Sequence, residues 1–265
     1  MFLREVKLFV WRELQCSLFP LFLFAAMGLT LFTTFGLPRY DALFLLALGF
    51  QIYLIRTGIE TPKEAWTIAA FHLIGLGLEI YKVGHGSWTY PDDGFKIAGV
   101  PLYSGFMYAS VASYMIQGWR RFELTMQNLP KWPWLVLVSL AIYANFFSAR
   151  LFGDVRWWIF GLVLAVFSRS SLEFTTLPGL RRRMPIVVAF VLIGFFVWVA
   201  EQICTLLKAW QYPYQRDVWT WVDAGKLSSW ILMVIVSFCI VAALKHEFTP
   251  RNLREPERED AFGVA

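Results

Sequence analysis

Two glutamates inside apolar stretches are the residues whose type and spacing point most directly to chemistry. Glu79 and Glu201 each open the pattern E-x8-W-x-Y-P. The first instance runs Glu79 to Trp88-Thr-Tyr90-Pro91, and the second, in register 122 residues on (79 to 201), runs Glu201 to Trp210-Gln-Tyr212-Pro213. A charged side chain at mid-bilayer costs about 2.5–3.5 kcal/mol on insertion scales, so each acid must face the interior of a bundle and have a partner there. A carboxyl in that setting can act as a general acid or base, with its partner setting its protonation. On one helix His72, Gly75, Glu79 and Lys82 share a face; on the other Gly194, Trp198, Glu201, Thr205 and Lys208 do.

These stripes define an expected site. Glu79 and Glu201 are its acids, and Lys82 and His85 set their protonation. Trp88, Tyr90, Trp210 and Tyr212 shape the mouth, and Tyr103 and Tyr108 of the following helix complete a substrate-binding surface. The competing reading is structural: neutralised, snorkelling charges and belt-anchored helix ends, each stopped by a proline. His72, His85 and His246 are the only histidines, no pair of them has i, i+4 spacing, and Cys16, Cys204 and Cys239 lie far apart in apolar runs. No metal, cofactor or disulfide is therefore expected.

Positioning those residues requires a membrane bundle. In a chain of 265 residues, 58% are hydrophobic and only 16% charged, with a mean hydropathy of +0.54, which places it outside the soluble globular class. Residues 1–13 read as an interfacial lead-in. Eight spans follow, at about 14–36, 40–56, 66–84, 99–118, 133–151, 156–171, 185–207 and 227–244. The first apolar run is too long for the core of a cleaved signal peptide and is expected to be retained.

The fold class is thus all-α: a polytopic transmembrane bundle over 1–245 with a parallel internal repeat, followed by a charged cytoplasmic tail over 246–265. Lys and Arg collect on one side, which orients both termini to the cytoplasm of a bacterial inner membrane and puts both W-x-Y-P loops outside. That asymmetry accounts for the net charge of +5, so the expected partners are the lipid bilayer and a hydrophobic small molecule, with no nucleic acid.

The segment Gly86-Ser-Trp-Thr-Tyr-Pro-Asp-Asp through Gly99-Val-Pro-Leu-Tyr-Ser-Gly-Phe-Met-Tyr-Ala-Ser resembles a family of bacterial integral-membrane proteins, domain of unknown function 817. The resemblance covers most of the chain and implies no particular activity. The W-x-Y-P loop with its Gly-Val-Pro helix start is also similar to membrane carotenoid hydratases and lycopene cyclases. That resemblance implies protonation of a polyene and stabilisation of a carbocation by aromatic faces. The paired-acid Pro-x-Glu-Glu motif of the cyclases is missing, so none of their catalytic residues carries over. Three functions follow as expectations: acid–base chemistry on a lipid or isoprenoid, proton- or cation-coupled transport, and a noncatalytic assembly role.

Overall fold

The computed structural model describes residues 2–244, so the expected tail over 246–265 lies outside the described residues. Nine helices dominate the described residues: α1 (Phe2–Cys16), α2 (Leu18–Leu29), α3 (Arg39–Arg56), α4 (Pro62–Gly84), α5 (Ser104–Arg121), α6 (Trp132–Phe152), α7 (Arg156–Phe167), α8 (Ile186–Leu206) and α9 (Lys226–Leu244). Together they form a polytopic helical bundle of the membrane-spanning kind. Large apolar side chains face outward, among them Trp66, Leu73, Leu140 and Phe196. One continuous apolar core joins α2, α4, α5, α6, α8 and α9 through residues such as Phe19, Phe71, Ile116, Val138, Phe190 and Ile235.

The count of eight spans is not reached. Four described helices, α4, α6, α8 and α9, are long and apolar enough to cross a membrane, and α1 with α2 would add a fifth if the bent pair is one span. At 12 residues α7 is about 18 Å long, short of a hydrocarbon core of about 30 Å. Although α3 and α5 have 18 residues each, they fall below that apolarity; α5 buries Ser104, Ser110, Ser113 and Gln117 at the centre of the bundle instead.

The span expected over 14–36 is broken, with α1 and α2 meeting at 63°. Pro20 has no amide to offer the carbonyl of Cys16, so the ladder is interrupted there. The fold then uses the bend. Arg182 pairs with Glu5 at 2.8 Å, Arg12 donates to the Thr175 carbonyl, and Phe9 packs on Phe122 and Phe174.

Two small sheets depart from the all-helical expectation. β1 (Lys96–Ile97) and β2 (Val100–Pro101) form a hairpin, and β3 (Thr125–Gln127), β4 (Ser171–Leu177) and β5 (Leu180–Pro185) form an antiparallel sheet in that order. The first delays α5 from the expected residue 99 to Ser104. Its two turn residues, Ala98 and Gly99, have φ of 50° and 82°, the left-handed pair that a tight hairpin requires. The second turns the supposed Arg181–Arg183 loop into a strand and the end of the sixth expected span into another.

α4 begins with a capping box in which Thr61 and Glu64 satisfy each other's backbone amides. It ends at Gly84, and α8 ends at Leu206, 122 residues on; α5 starts at Ser104 and α9 at Lys226, again 122 on. The repeat thus extends from a motif to whole elements. α4 pairs with α5 and α8 with α9, and the two connecting loops meet at one end of the bundle.

Candidate functional site

At that end, Glu79 and Glu201 are each only 3% exposed. Glu79 sits on α4 five residues before its end and accepts three hydrogen bonds: from Trp88 Nε1 and the Tyr90 hydroxyl at 2.7 Å on one oxygen, and from the Tyr108 hydroxyl at 2.8 Å on the other. Glu201, equally placed on α8, accepts from the Tyr212 hydroxyl at 2.5 Å and from Trp230 Nε1 at 2.7 Å.

The donors obey the same repeat. Tyr90 and Tyr212 both lie 11 residues beyond their glutamate, and Tyr108 and Trp230 both lie 29 beyond. The loops exchange a reciprocal pair of backbone bonds, Thr89 N to Gln211 O and Gln211 N to Thr89 O, both 2.9 Å. Those residues also correspond across the repeat, so this bridge lies where a two-fold relation between the halves would place it. The Trp88 ring meets the Tyr212 ring at 5.9 Å, edge to face, joining the two carboxylates through aromatic neighbours.

Hydroxyl chemistry in the loops is fixed by these surroundings. Burial and then the Glu79 charge raise the Tyr90 hydroxyl well above its ordinary value, and burial and then Glu201 do the same for Tyr212. Both remain protonated donors. Neither carboxylate has a salt bridge among the described residues.

The lysines named from sequence are turned elsewhere. Lys82 donates to the Phe146 carbonyl at 3.2 Å and lies 3.9 Å above the Phe146 ring. Lys208 is exposed, past the end of α8 in the left-handed region with φ of 56°. His85 bonds the Tyr81 carbonyl at 2.7 Å and lies against the Tyr81 ring. Tyr103 is buried behind the site, donating to the Ala209 carbonyl. Trp210 is buried beside it and does not bond Glu201, whose indole donor is Trp230, the counterpart of Tyr108. Of the expected set, the structure brings Glu79, Trp88, Tyr90, Tyr108, Tyr212 and Glu201 together.

Two residues at the site escape the motif. One is Trp230, which a shift of 122 from Tyr108 would have reached. The other is Lys226, which opens α9 with its ammonium 4.8 Å from the Tyr212 ring and 5.8 Å from the Trp88 ring, near enough to Glu201 to interact through charge. A third buried acid, Glu60, lies at the opposite end of the bundle, in the turn before α4. It is held by Ser113 and by Gln51 at 2.5 Å, and burial raises its carboxyl above the usual range.

Beneath the acids is a narrow apolar crevice between the helix pairs, a cavity of about 20 Å³ lined by Phe71, Tyr108, Val111, Val197, Trp230 and Met233, among others. Tyr108 and Trp230 form part of its wall and also donate to the acids. Their placement depends on two glycines. A Cβ on Gly75 would lie 2.4 Å from the Tyr108 ring, and one on Gly194 would lie 2.9 Å from the Ile231 Cα. Gly75→Ala is therefore expected to destabilise the protein by about 1–3 kcal/mol through overpacking. Gly77→Ala, where a Cβ meets nothing within 4 Å, is expected to leave stability unchanged or improve it. Thermal unfolding of both in detergent checks this; equal midpoints would show that the close approach is not needed.

A family model described as a protein of unknown function, DUF817, matches residues 5–238. An uncharacterised protein of Bacillus subtilis strain 168, YoaT, is 47% identical over 262 residues, covering 98% of each chain. No solved structure gives a significant match. The chain belongs to the DUF817 family.

Proposed function

We propose that this DUF817 protein is a multi-pass inner-membrane protein that performs acid–base chemistry on a hydrophobic, lipid- or isoprenoid-like molecule at the paired Glu79 and Glu201. The observation that carries the reading is the meeting of an apolar crevice with two buried carboxylates through shared walls, Tyr108 and Trp230. An apolar chain entering between the helix pairs would bring its reacting end to the acids, while the aromatic faces of Trp88, Tyr108 and Tyr212 would stabilise positive charge developing on it. At its present volume the crevice has room for about one water, so substrate entry requires the helix pairs to separate.

In this reading the two acids differ. Lys226 gives Glu201 a cationic neighbour, whereas Glu79 has three neutral donors around it, so Glu79 is the acid assigned to exchange the proton. Both W-x-Y-P loops then face the extracytoplasmic side, with the termini inside, as the distribution of Lys and Arg suggests.

A second reading has its own support. Repeats joined around a shared polar centre are a common transporter plan, and the Thr89–Gln211 bridge sits between matching halves. In that case Glu79 would carry the coupling proton. Mass spectrometry of lipid extracts separates the two, using cells with wild type, Glu79→Gln or Glu201→Gln at matched membrane abundance. Catalysis predicts a lipid species that changes with wild type and not with Glu79→Gln. Identical extracts together with a Glu79-dependent proton flux in proteoliposomes would replace catalysis by transport.

A further inference from the structure

The loop after α8 holds a polar recess. Its volume is about 120 Å³, roughly tenfold the 10–15 Å³ that one water needs. Thr205, Gln215 and Trp219 build its walls and are occupied internally. Thr205 Oγ1 bonds the Glu201 carbonyl and accepts from Trp219 Nε1, while Gln215 bonds the Tyr212 amide and the Thr220 carbonyl. Lys208, Gln211, Arg216 and Asp217 line it as well, and their side chains make no hydrogen bond or ion pair among the described residues.

Comparison of the two halves shows what is added. At the corresponding positions the first loop has Gly86 for Lys208, Thr89 for Gln211, Gly94 for Arg216 and Phe95 for Asp217. Capping of a buried glutamate needs none of these polar groups, since the first loop caps Glu79 without them. In the first loop Asp92 pairs with Arg39, which also donates to the Leu207 and Lys208 carbonyls. In the second loop two cations and an amide remain open against one carboxylate.

We propose that this recess is a binding site for a phosphate-type oxyanion, held by the Lys208 ammonium, the Arg216 guanidinium and the Gln211 amide. Arg and Lys bind such anions with strong charge-assisted bonds, and Arg matches the planar fork of two phosphate oxygens. Thr205 lies one turn beyond Glu201 on α8, so the bound anion sits at the rim of the carboxylate centre. The site stands on its own lining, independent of whether the acids catalyse or transport.

Such an oxyanion has two sources, free phosphate in solution and the headgroup of an anionic lipid, and two measurements on the full chain distinguish them. The first is thermal unfolding in detergent with inorganic phosphate, against chloride at equal ionic strength. The second is native mass spectrometry after reconstitution with phosphatidylglycerol and phosphatidylcholine. A free anion predicts that phosphate raises the wild-type unfolding midpoint; a headgroup predicts retained phosphatidylglycerol adducts in place of that rise. In either case Lys208→Gln with Arg216→Gln weakens binding by at least about tenfold, a loss of about 1.4 kcal/mol. Arg216→Lys retains part of the binding, and Asp217→Asn strengthens it by removing the one opposing charge. Binding that is absent from both measurements, or that is equal in wild type and the doubly neutralised variant, overturns the proposal.

Discussion

Under the proposed acid–base role, Glu79→Gln is expected to leave the bundle folded while lowering turnover by about 10²–10⁴-fold, the contribution typical of a positioned general acid or base. The hydrogen bonds explain why these two effects separate. Trp88 Nε1 can only donate, and it shares one carboxylate oxygen with Tyr90. An amide that keeps its oxygen on that side turns its NH₂ toward Tyr108, whose hydroxyl can reverse and accept. Trp88, Tyr90 and Tyr108 each keep a hydrogen bond to residue 79, but the exchangeable proton is gone. Glu79→Leu has the opposite character. It strands three donors, each costing about 1–3 kcal/mol on soluble-protein measurements and nearer 0.6 kcal/mol on membrane-protein cycles. Its unfolding midpoint in detergent should fall by several degrees while that of Glu79→Gln stays near wild type. Equal midpoints for the two variants would show that the donors do not depend on the carboxylate.

Glu201→Gln is expected to be the less tolerated amide substitution, because it removes the acid whose charge Lys226 can balance. Lys226 is held among the Tyr212 and Trp88 rings and has no salt bridge among the described residues, so its charge loses a compensating neighbour. Leaving a partly buried ammonium uncompensated should cost about 1–3 kcal/mol, below the 3–5 kcal/mol of a broken fully buried pair. Adding Lys226→Met to Glu201→Gln should recover most of that loss. Thermal unfolding of the four proteins gives the coupling energy directly. Additive effects of the two substitutions would mean that Lys226 and Glu201 do not act on each other.

Much of the carboxylate centre is legible in the sequence because duplication writes it twice. E-x8-W-x-Y-P selects both acids and four of the aromatic residues around them, and Tyr212 and Tyr90 bond as matched partners. The motif fails where the halves diverge: Trp88 bonds its glutamate, but Trp210 turns into the core, and Glu201 keeps only the donors matching Tyr90 and Tyr108, namely Tyr212 and Trp230. Side-chain spacing on a helix assigned Lys82 and Lys208 to the acids. A residue near a helix end escapes that geometry, as Lys208 does in its left-handed turn.

The fold was less legible where apolar content masked local backbone chemistry. Residues 14–36 form one apolar run, and only the missing amide of Pro20 signals the break between α1 and α2. The run Leu172-Glu-Phe-Thr-Thr-Leu177 before Pro178-Gly179 carries the β-branched and turn residues of a hairpin, yet with the sixth expected span ending at 171 it reads as part of a loop. The two cations of the second loop, Lys208 and Arg216, look like ordinary surface charge until the recess brings them together.

The most direct test of the account is a cross-link between the two loops that close the site. Thr89 and Gln211 exchange both backbone hydrogen bonds, a pairing that sets their Cα atoms about 5.5 Å apart. That separation lies within the range a disulfide spans. With Cys16, Cys204 and Cys239 replaced by Ala, Thr89→Cys with Gln211→Cys should oxidise to an intramolecular disulfide in intact membranes, seen by peptide mass spectrometry. The single variants should give none. Efficient formation would place Glu79 and Glu201 in one centre; no disulfide under oxidation that cross-links a control pair, Thr125→Cys with Glu173→Cys across β3 and β4, would contradict it.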